Sequence, residues 1–178
     1  MVVHLVTFAS KKYIHSSILL RHSALRNGVD KVYIYNEEDI EEHIQTHPDI
    51  YKFKKGFGCY SWQPYILLNK FNQINNNDII IYCDSGIIFN KNILPLLELC
   101  KKYGSAFFNV GEFREKDYKN IYWTKKNVFH KMNCTKTKYY NAFQVMGGLQ
   151  LYVKNKENFK FITELSKYCN DYEIITDI

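Results

Sequence analysis

The sequence has little glycine or proline and no long apolar run. Only 8 Gly and 3 Pro occur among 178 residues, while 46% of the residues are hydrophobic and 24% are charged. This composition excludes collagen-like, low-complexity and disordered chains, and we expect one folded domain over residues 1–178. No run approaches the ~20 apolar residues of a membrane helix, and residues 1–10 lead directly into a strand pattern. We therefore expect neither a transmembrane segment nor a secretory signal.

The sequence also lacks paired cysteines. Five cysteines are widely spread, with no Cys-x-x-Cys pair: Cys59, Cys83, Cys100, Cys134 and Cys169. An odd and dispersed set argues against a disulfide framework or a zinc site. Cys83 and Cys100 lie in apolar runs, where we expect small buried side chains. This usage fits a reducing compartment, so we expect a cytoplasmic protein.

The charge of the chain is unevenly distributed. The formal net charge is +6, and residues 111–140 alone carry a net charge of +5. Such a segment suits an anion such as a nucleotide diphosphate, and its aromatic residues, among them Tyr122 and Trp123, would cover a sugar. One hypothesis is that it closes over a bound ligand. A solvated lysine-rich segment explains the same charge.

Strand-like and helix-like segments alternate along the chain. Apolar or β-branched runs predict strands at 2–8, 32–35, 79–83, 105–109 and 144–153. Helical periodicity and capping residues predict helices at 14–27, 37–47, 65–74, 93–103, from Thr124 onwards and up to Cys169. In the first helix, Ile14, Ile18, Ala24 and Leu25 recur near the helical period. The alternation predicts an α/β fold with an open, mainly parallel twisted sheet, helices on both faces and 79–83 as its central buried strand.

An acidic residue follows the most apolar of these strands. Asp84, in Tyr82-Cys83-Asp84-Ser85-Gly86, would lie beyond the carboxyl end of the strand, where open α/β sheets bind ligands. Its carboxylate can bind a divalent cation that bridges two phosphates. Gly86 permits a close approach of a ligand or a positive φ. An ordinary turn after a strand has the same composition.

Two further segments combine glycine with aromatic or strand residues. Residues 56–65 place two glycines and four aromatic side chains before a predicted helix, where they can form a stacking wall and supply backbone donors. Gly147 and Gly148 interrupt a predicted strand, which indicates a bulge or a close approach of the backbone. A packed aromatic loop is the plain alternative for the first segment.

In this order the segments resemble a known family. The matching pieces are Val6-Thr7-Phe8-Ala9, Gly58-Cys59-Tyr60-Ser61-Trp62-Gln63-Pro64-Tyr65, Ile80-Ile81-Tyr82-Cys83-Asp84-Ser85-Gly86, and Phe143-Gln144-Val145-Met146-Gly147-Gly148 followed by a helix. They resemble the GT-A type nucleotide-sugar glycosyltransferases, of the small kind found in large DNA viruses and bacterial surface-polysaccharide clusters. The resemblance covers nearly the whole chain. It implies transfer from a nucleotide sugar, with a UDP-sugar favoured, to a glycan or protein acceptor, in the host cytoplasm if the protein is viral.

The resemblance also implies a set of donor-binding residues. They are Thr7, Phe8, Ala9, Tyr60, Trp62, Gln63, Asp84, Ser85, Gly86, Gln144, Gly147 and Gly148. Asp84 matches the first Asp of the family's DxD motif and would bind Mn²⁺ or Mg²⁺. Gln63 stands where the family commonly has Lys, and Gly86 stands at the third DxD position. A phosphate-binding cation and a second carboxylate are therefore missing at these two positions.

An inverting enzyme of this kind needs a carboxylate that takes the proton of the acceptor hydroxyl. Asp177, Asp171 and Glu112 are the candidates, and the sequence does not choose among them. A retaining reaction would leave no base identifiable. The chain ends at Asp177-Ile178, where such domains usually continue, so the resemblance implies a natural short form or a fragment.

Three other functions compete with this interpretation. A remnant of the same fold would bind a nucleotide sugar without turning it over, and the missing second carboxylate favours it. A haloacid-dehalogenase-like phosphatase also places Asp after an apolar strand, but it needs a second Asp where this chain has Gly86. A nucleic-acid binder would use the basic stretch. That stretch has no recognisable RNA- or DNA-binding module, so we expect no nucleic-acid partner.

Overall fold

The computed structural model describes residues 1–111 and 118–176, which form one sheet surrounded by helices. The strands are β1 (Val3–Phe8), β2 (Lys31–Tyr35), β3 (Ile79–Cys83), β4 (Ser105–Asn109) and β5 (Val145–Val153). The longer helices are α1 (Ile14–Arg26), α4 (Trp62–Gln73), α5 (Leu94–Tyr103) and α9 (Lys156–Cys169). Shorter helical segments are α2 (Glu41–Thr46), α3 (Gly56–Cys59), α6 (Asn120–Trp123), α7 (Lys126–Lys131), α8 (Thr137–Asn141) and α10 (Tyr172–Ile175). None of the described helices is both long enough and apolar enough to cross a bilayer.

The strands lie in the order β2-β1-β3-β5-β4. β1 pairs in parallel with β2 and with β3, whereas β5 is antiparallel to both β3 and β4. Four strands therefore share one direction, and the predicted open, mainly parallel sheet is confirmed. β3 is central and buried along its whole length, as predicted. The reversed direction of β5 is a new finding, because an alternating pattern does not specify strand direction.

Helices cover both faces of the sheet. On one face, Leu20 of α1 and Leu97 of α5 belong to a core that includes alternate residues of β1 and β3. On the other face, Phe71 of α4 and Ile162 of α9 pack with the remaining residues of the same two strands. Since β1 and β3 are buried on both sides, their positions in the sheet are strongly fixed. The loops that follow their carboxyl ends therefore start from rigid supports.

The buried face of α1 differs from the predicted one. Ser17, Leu20 and Ala24 are buried against the sheet. Three residues of the predicted pattern lie in solvent, Ile14 (51% exposed), Ile18 (43%) and Leu25 (42%), and so does Leu19 (57%). The polar Ser17 is accommodated because its hydroxyl donates to the Ile14 carbonyl at 2.7 Å. Periodicity predicted the helix correctly, but of the four residues in the pattern only Ala24 is buried, since two neighbouring stripes of α1 carry apolar residues.

Three other helix predictions need correction. The acidic segment 37–47 forms a 3₁₀ turn (Glu38–Ile40) followed by α2, and Asn36 accepts a hydrogen bond from the Glu38 backbone N–H at 2.7 Å. Helix α4 begins at Trp62, two residues before Pro64. The single helix expected from Thr124 is replaced by α6, α7 and α8, because polar and extended residues separate three short helical segments.

Candidate active site

A cleft of ≈ 630 Å³ opens at the carboxyl ends of β1 and β3. Phe8 ends β1, and Asp84 directly follows β3, so the two strands deliver residues to the same edge of the sheet. The other lining residues come from the segment entering α1, from the Asp84 turn and from the glycine loop: Ser10, Lys12, Tyr13, Ser16, Lys54, Gly56, Phe57, Tyr60, Trp62, Ser85 and Gly86. The volume and the mixed lining are those of a small-molecule site.

Asp84 is oriented by contacts on two sides. Its Oδ1 accepts a hydrogen bond from the Tyr82 hydroxyl at 2.9 Å, and its backbone N–H donates to the Gly148 carbonyl at 2.9 Å. The carboxylate fits because residue 148 has no side chain: a Cβ there would lie 2.4 Å from Asp84 Oδ2. Burial and the charge of Asp84 raise the pKa of Tyr82 well above its usual value, so Tyr82 remains a hydrogen-bond donor. The exposed carboxylate is thus held in one orientation at the cleft.

One wall of the cleft has an uncommon backbone conformation. Five consecutive residues have positive φ: Gly56 (58°), Phe57 (50°), Gly58 (79°), Cys59 (55°) and Tyr60 (63°). Three of them carry side chains, and a left-handed conformation costs each of these roughly 1–2 kcal/mol. The backbone N–H groups of Cys59 and Tyr60 donate to the carbonyls of Lys55 and Gly56 at 2.9 and 3.1 Å. Strain of this kind persists where the surrounding structure imposes it, often at ligand sites.

Aromatic packing holds this left-handed turn against β1. The rings of Trp62 and Phe8 stack with centroids 4.2 Å apart, and Phe57 stacks on Phe8 at 5.9 Å. The Trp62 Nε1–H donates to the Gly56 carbonyl at 2.9 Å. Trp62 is 5% exposed, whereas Tyr60 is 53% exposed. Trp62 therefore acts mainly as a support, and Tyr60 offers the open ring surface.

Two lysines that were not predicted from the sequence as site residues line the cleft. Lys12 lies in the turn before α1, and Lys54 precedes the left-handed turn. Both lysines bring positive charge to the lining of the cleft. The available signal was a pair of lysines at 11–12 and another at 54–55, each adjacent to a segment that the resemblance assigns to the donor site.

Six of the twelve predicted donor-binding residues line the cleft. They are Phe8, Tyr60, Trp62, Asp84, Ser85 and Gly86. Thr7 is fully buried and Ala9 is 4% exposed, and neither lines the cleft. Their side chains lie beneath the surface at the end of β1, because this strand is covered on both faces. A direct role of these two residues in donor binding stays a prediction.

The remaining predicted residues do not line the cleft. Gln63 Nε2 donates to the Gly147 carbonyl at 3.2 Å, which ties the start of α4 to β5. Gln144 Nε2 donates to the Thr124 hydroxyl at 3.1 Å. Gly148 contacts Asp84, as described above. These contacts give the residues positioning roles, and the predicted sugar subsite at Gly147 and Gly148 stays a prediction.

The described part of the basic segment, 118–140, contributes no residue to the lining of the cleft. Lys125 Nζ donates to the carbonyls of Glu173, at 2.9 Å, and Thr176. Lys131 forms ion pairs with Asp171 at 2.9 Å and with Glu173 at 2.7 Å. These two lysines attach α10 to α7. Closure of the segment over a ligand stays a prediction.

Asp171 is committed to structural contacts. It caps α10 by accepting hydrogen bonds from the backbone N–H groups of Glu173 and Ile174 at 3.0 and 3.2 Å. The hydrogen bond from Lys131, with help from these backbone bonds, lowers the pKa of Asp171. Asp171 does not line the cleft. The other two candidate bases, Asp177 and Glu112, lie outside the described residues.

The cleft offers a divalent cation a single carboxylate among its lining residues. In residues 1–111 and 118–176, no cluster of three His, Cys, Asp or Glu side chains could hold a metal ion. Asp84 lines the cleft, and the residue two positions later, Gly86, has no carboxylate. Mg²⁺ and Mn²⁺ accept phosphate and water oxygens as ligands. Asp84 therefore fits a cation that a bound diphosphate helps to hold, and it does not form a metal centre alone.

Neither a family model nor a curated protein sequence matches this chain. Among solved structures, galactosyltransferase LgtC in complex with donor and acceptor sugar analogs matches with a TM-score of 0.52 and 13% identity, over 98% of this chain and 66% of LgtC. Mouse xyloside xylosyltransferase 1 matches with a TM-score of 0.54 and 10% identity, over 98% of this chain and 77% of that protein. The chain has a GT-A glycosyltransferase fold. It spans about two thirds of LgtC, and at these identities the likeness concerns the fold alone.

Proposed function

We propose that this chain is a glycosyltransferase that takes a sugar from a nucleotide-sugar donor, with a UDP-sugar favoured, and transfers it to a glycan or protein acceptor. The observation that carries the proposal is the cleft at the ends of β1 and β3, where Asp84, an aromatic wall and two lysines line the same space. This is the edge of an open α/β sheet at which ligands bind. The fold shared with a galactosyltransferase and a xylosyltransferase supports the class of reaction.

The cleft provides the contacts that a nucleotide sugar requires. The exposed ring of Tyr60 offers apolar surface to a base or a sugar. Lys12 and Lys54 place positive charge near the diphosphate, whose negative charge grows as the sugar–phosphate bond breaks. Asp84 would hold one ligand position of Mn²⁺ or Mg²⁺ together with the diphosphate. When bound, such a cation supplies further electrostatic stabilisation of the leaving group.

The acceptor hydroxyl must also lose its proton. In an inverting reaction a carboxylate takes it, and Asp177 and Glu112 remain the proposed candidates. Asp171 is set aside, because its carboxylate is engaged with Lys131 and with the first turn of α10. Asp177→Ala and Glu112→Ala test this assignment. The variant that slows sugar transfer but not donor hydrolysis would identify the base.

Release of UDP from UDP-sugars tests the proposal. We expect turnover by the native chain with Mn²⁺ and a loss of about 10²-fold or more in Asp84→Asn. Thermal stability should be retained, because Asn still accepts the Tyr82 hydrogen bond and the side chain is exposed. Glu98→Gln, an exposed carboxylate of α5 outside the cleft, is the matched control. Turnover that is unchanged in Asp84→Asn would contradict the assignment.

A nucleotide-sugar-binding remnant is the second candidate function. The glycine at position 86 favours it, because the second carboxylate of a metal motif is absent there. A thermal-shift screen with UDP-, GDP- and CMP-sugars, with and without Mn²⁺, separates the two. Binding accompanied by nucleotide release supports the transferase. If a nucleotide sugar binds and no nucleotide is released in any of these conditions, the protein is the remnant.

A further inference from the structure

One face of the molecule leaves a large apolar surface in solvent. This face is the α1/α5 layer, defined as residues 10–28 and 87–104. Its exposed apolar side chains include Ile14, Ile18, Leu19 and Leu25 from α1, Ile88 from the segment that enters α5, and Leu94 from the first turn of α5. Ile88 and Leu94 are 61% and 51% exposed. On the opposite face of the sheet, the exposed large hydrophobic side chains of the two long helices are Phe159 and Phe161 of α9, and α4 contributes none.

Hydrogen bonds join the two parts of this surface. Asn27, just after α1, donates from Nδ2 to the Phe89 carbonyl at 3.0 Å, and its own carbonyl accepts from the Ile93 N–H at 2.9 Å. The Phe89 N–H donates to the Ser23 hydroxyl at 3.1 Å. The end of α1 is therefore adjacent to the segment that carries Ile88. The apolar stripe then runs back along α1 towards the cleft.

The charge of the same layer is one-sided. It contains seven exposed basic residues: Lys11, Lys12, Arg21, Arg26, Lys91, Lys101 and Lys102. Its one acidic residue is Glu98, and residues 1–29 contain no Asp or Glu. The outer helix of the opposite face mixes the two signs, with Lys156, Glu157, Lys160, Glu164 and Lys167 along α9. Positive charge and apolar surface therefore coincide on the α1/α5 layer.

We propose that the α1/α5 layer docks on an anionic lipid surface. Helices that lie in a membrane interface combine an apolar stripe, which enters the headgroup region, with Lys and Arg that pair with anionic headgroups. A lipid surface satisfies both parts of this layer at once, because it presents negative charge directly above apolar chains. A nucleic acid would use the basic residues and leave the apolar stripe in water. Contiguous exposed apolar side chains rimmed by polar residues mark interaction sites.

The orientation has a consequence for the candidate active site. Lys12, Tyr13 and Ser16, at the start of α1, line the cleft. A chain docked through α1 therefore holds the cleft close to the lipid surface. This step rests on the proposed function, and it points to an acceptor that is itself attached to the membrane, such as a lipid-linked glycan.

Co-sedimentation of the whole chain with vesicles tests the docking without any nucleotide. We expect binding to phosphatidylcholine vesicles that contain about 30 mol% phosphatidylglycerol, and binding at least about tenfold weaker to pure phosphatidylcholine. Raising the NaCl concentration to about 0.5 M should weaken the first interaction by a similar factor, because the headgroup charges are then screened.

Two double variants separate the charged and apolar contributions. Arg21→Glu with Arg26→Glu should weaken binding to anionic vesicles by about tenfold or more. Ile14→Gln with Ile18→Gln should weaken it by about tenfold while the salt dependence remains. All four side chains are exposed, so the melting temperature should not change.

Matched controls come from other surfaces of the molecule. Lys160→Glu with Lys167→Glu reverses two exposed charges on α9. Ile121→Gln replaces an isoleucine that is 51% exposed, the same fraction as Ile14. Both controls should bind vesicles as the native chain does.

Three results would overturn the proposal. One is a native chain that does not bind anionic vesicles at low salt. Another is a loss of binding in the α9 control that equals the loss in the Arg21 and Arg26 variant. The third is a native chain that self-associates but does not bind vesicles, and whose self-association is abolished by Ile14→Gln with Ile18→Gln. That result would assign the surface to a second copy of the chain. Nucleotide-sugar turnover is measured separately, so failure here leaves the proposed function intact.

Discussion

Gly148→Ala is expected to disable the candidate site by displacing Asp84. A Cβ at residue 148 would lie 2.4 Å from Oδ2 and 3.0 Å from Cγ of Asp84, whereas ordinary contacts begin at 3.4 Å. The carboxylate must then move by about 1 Å, and a rotation away from the new methyl group breaks the hydrogen bond from Tyr82. The substitution therefore changes the position of Asp84 without changing its chemistry.

The size of the effect follows from these contacts. A misplacement of about 1 Å can lower a rate by about 10²-fold, which corresponds to about 2.7 kcal/mol of transition-state stabilisation. The buried Tyr82 hydroxyl loses its partner, which costs about 1–3 kcal/mol of folding stability. For a chain of this size, that lowers the melting temperature by about 2–12 °C. UDP release and thermal melting measure the two effects.

Gly147→Ala is the matched control for this experiment. A Cβ at residue 147 would meet nothing within 4 Å, and Gly147 is not in the left-handed region. We expect it to retain the native stability and the native position of Asp84, so that a loss of turnover in this variant would come from the predicted sugar subsite and not from a displaced carboxylate. If Gly148→Ala also retains native turnover, the placement of Asp84 against β5 does not matter for the reaction, and the reasoning is refuted.

Three further outcomes are expected. Gly86→Asp fits sterically, because a Cβ there meets nothing within 4 Å, and the second carboxylate should strengthen nucleotide-free Mn²⁺ binding by about tenfold or more in calorimetry. Lys12→Ala and Lys54→Ala should each weaken UDP binding by about three- to tenfold and reduce its dependence on salt. Burial lowers the pKa of His43 below its usual 6.5, so the unfolded chain binds more protons than the folded chain in mildly acidic solution. Stability should be full above pH 6.5 and decline as the pH falls, and His43→Asn should make this decline shallower.

Each of these outcomes has a result that would contradict it. Nucleotide-free Mn²⁺ affinity that is the same in Gly86→Asp and the native chain would remove Asp84 from the metal site. Lys52→Ala is the control for the cleft lysines, because Lys52 pairs with Asp49 and does not line the cleft. An equal loss of UDP affinity in Lys52→Ala would show that the effect of the cleft lysines is non-specific. If the melting temperature of His43→Asn declines with falling pH as steeply as that of the native chain, His43 does not cause the decline.

The position of Asp84 was predictable from the sequence for a physical reason. β3 is continuously apolar and β1 is apolar except for His4 and Thr7, because both faces of each strand are covered, and such runs predict strands well. The residue that follows a central strand must then lie at the carboxyl edge of the sheet, where open α/β sheets form their clefts. The cleft and the place of Asp84 within it are confirmed.

Other features depend on contacts that no local pattern contains. The left-handed turn at residues 56–60 opposes the intrinsic preference of Phe57, and it exists because Trp62 and Phe8 hold it in place. Lys12 and Lys54 are 42 positions apart in the sequence and meet at one cleft only after the chain folds. The exposed stripe of α1 could not be assigned, because periodicity finds a helix without indicating which stripe meets the sheet.

Chemical-shift mapping of a UDP-sugar on the ¹⁵N-labelled chain tests most directly whether the cleft is the donor site. We expect the largest shifts at the backbone amides of Gly86 and Phe57 and at the Trp62 indole N–H, which surround the cleft. The amides of Gly28 and Gly104, at the ends of α1 and α5 and outside the cleft, should not change. Shifts confined to residues outside the cleft, or no shifts at millimolar donor with Mn²⁺, would contradict the account.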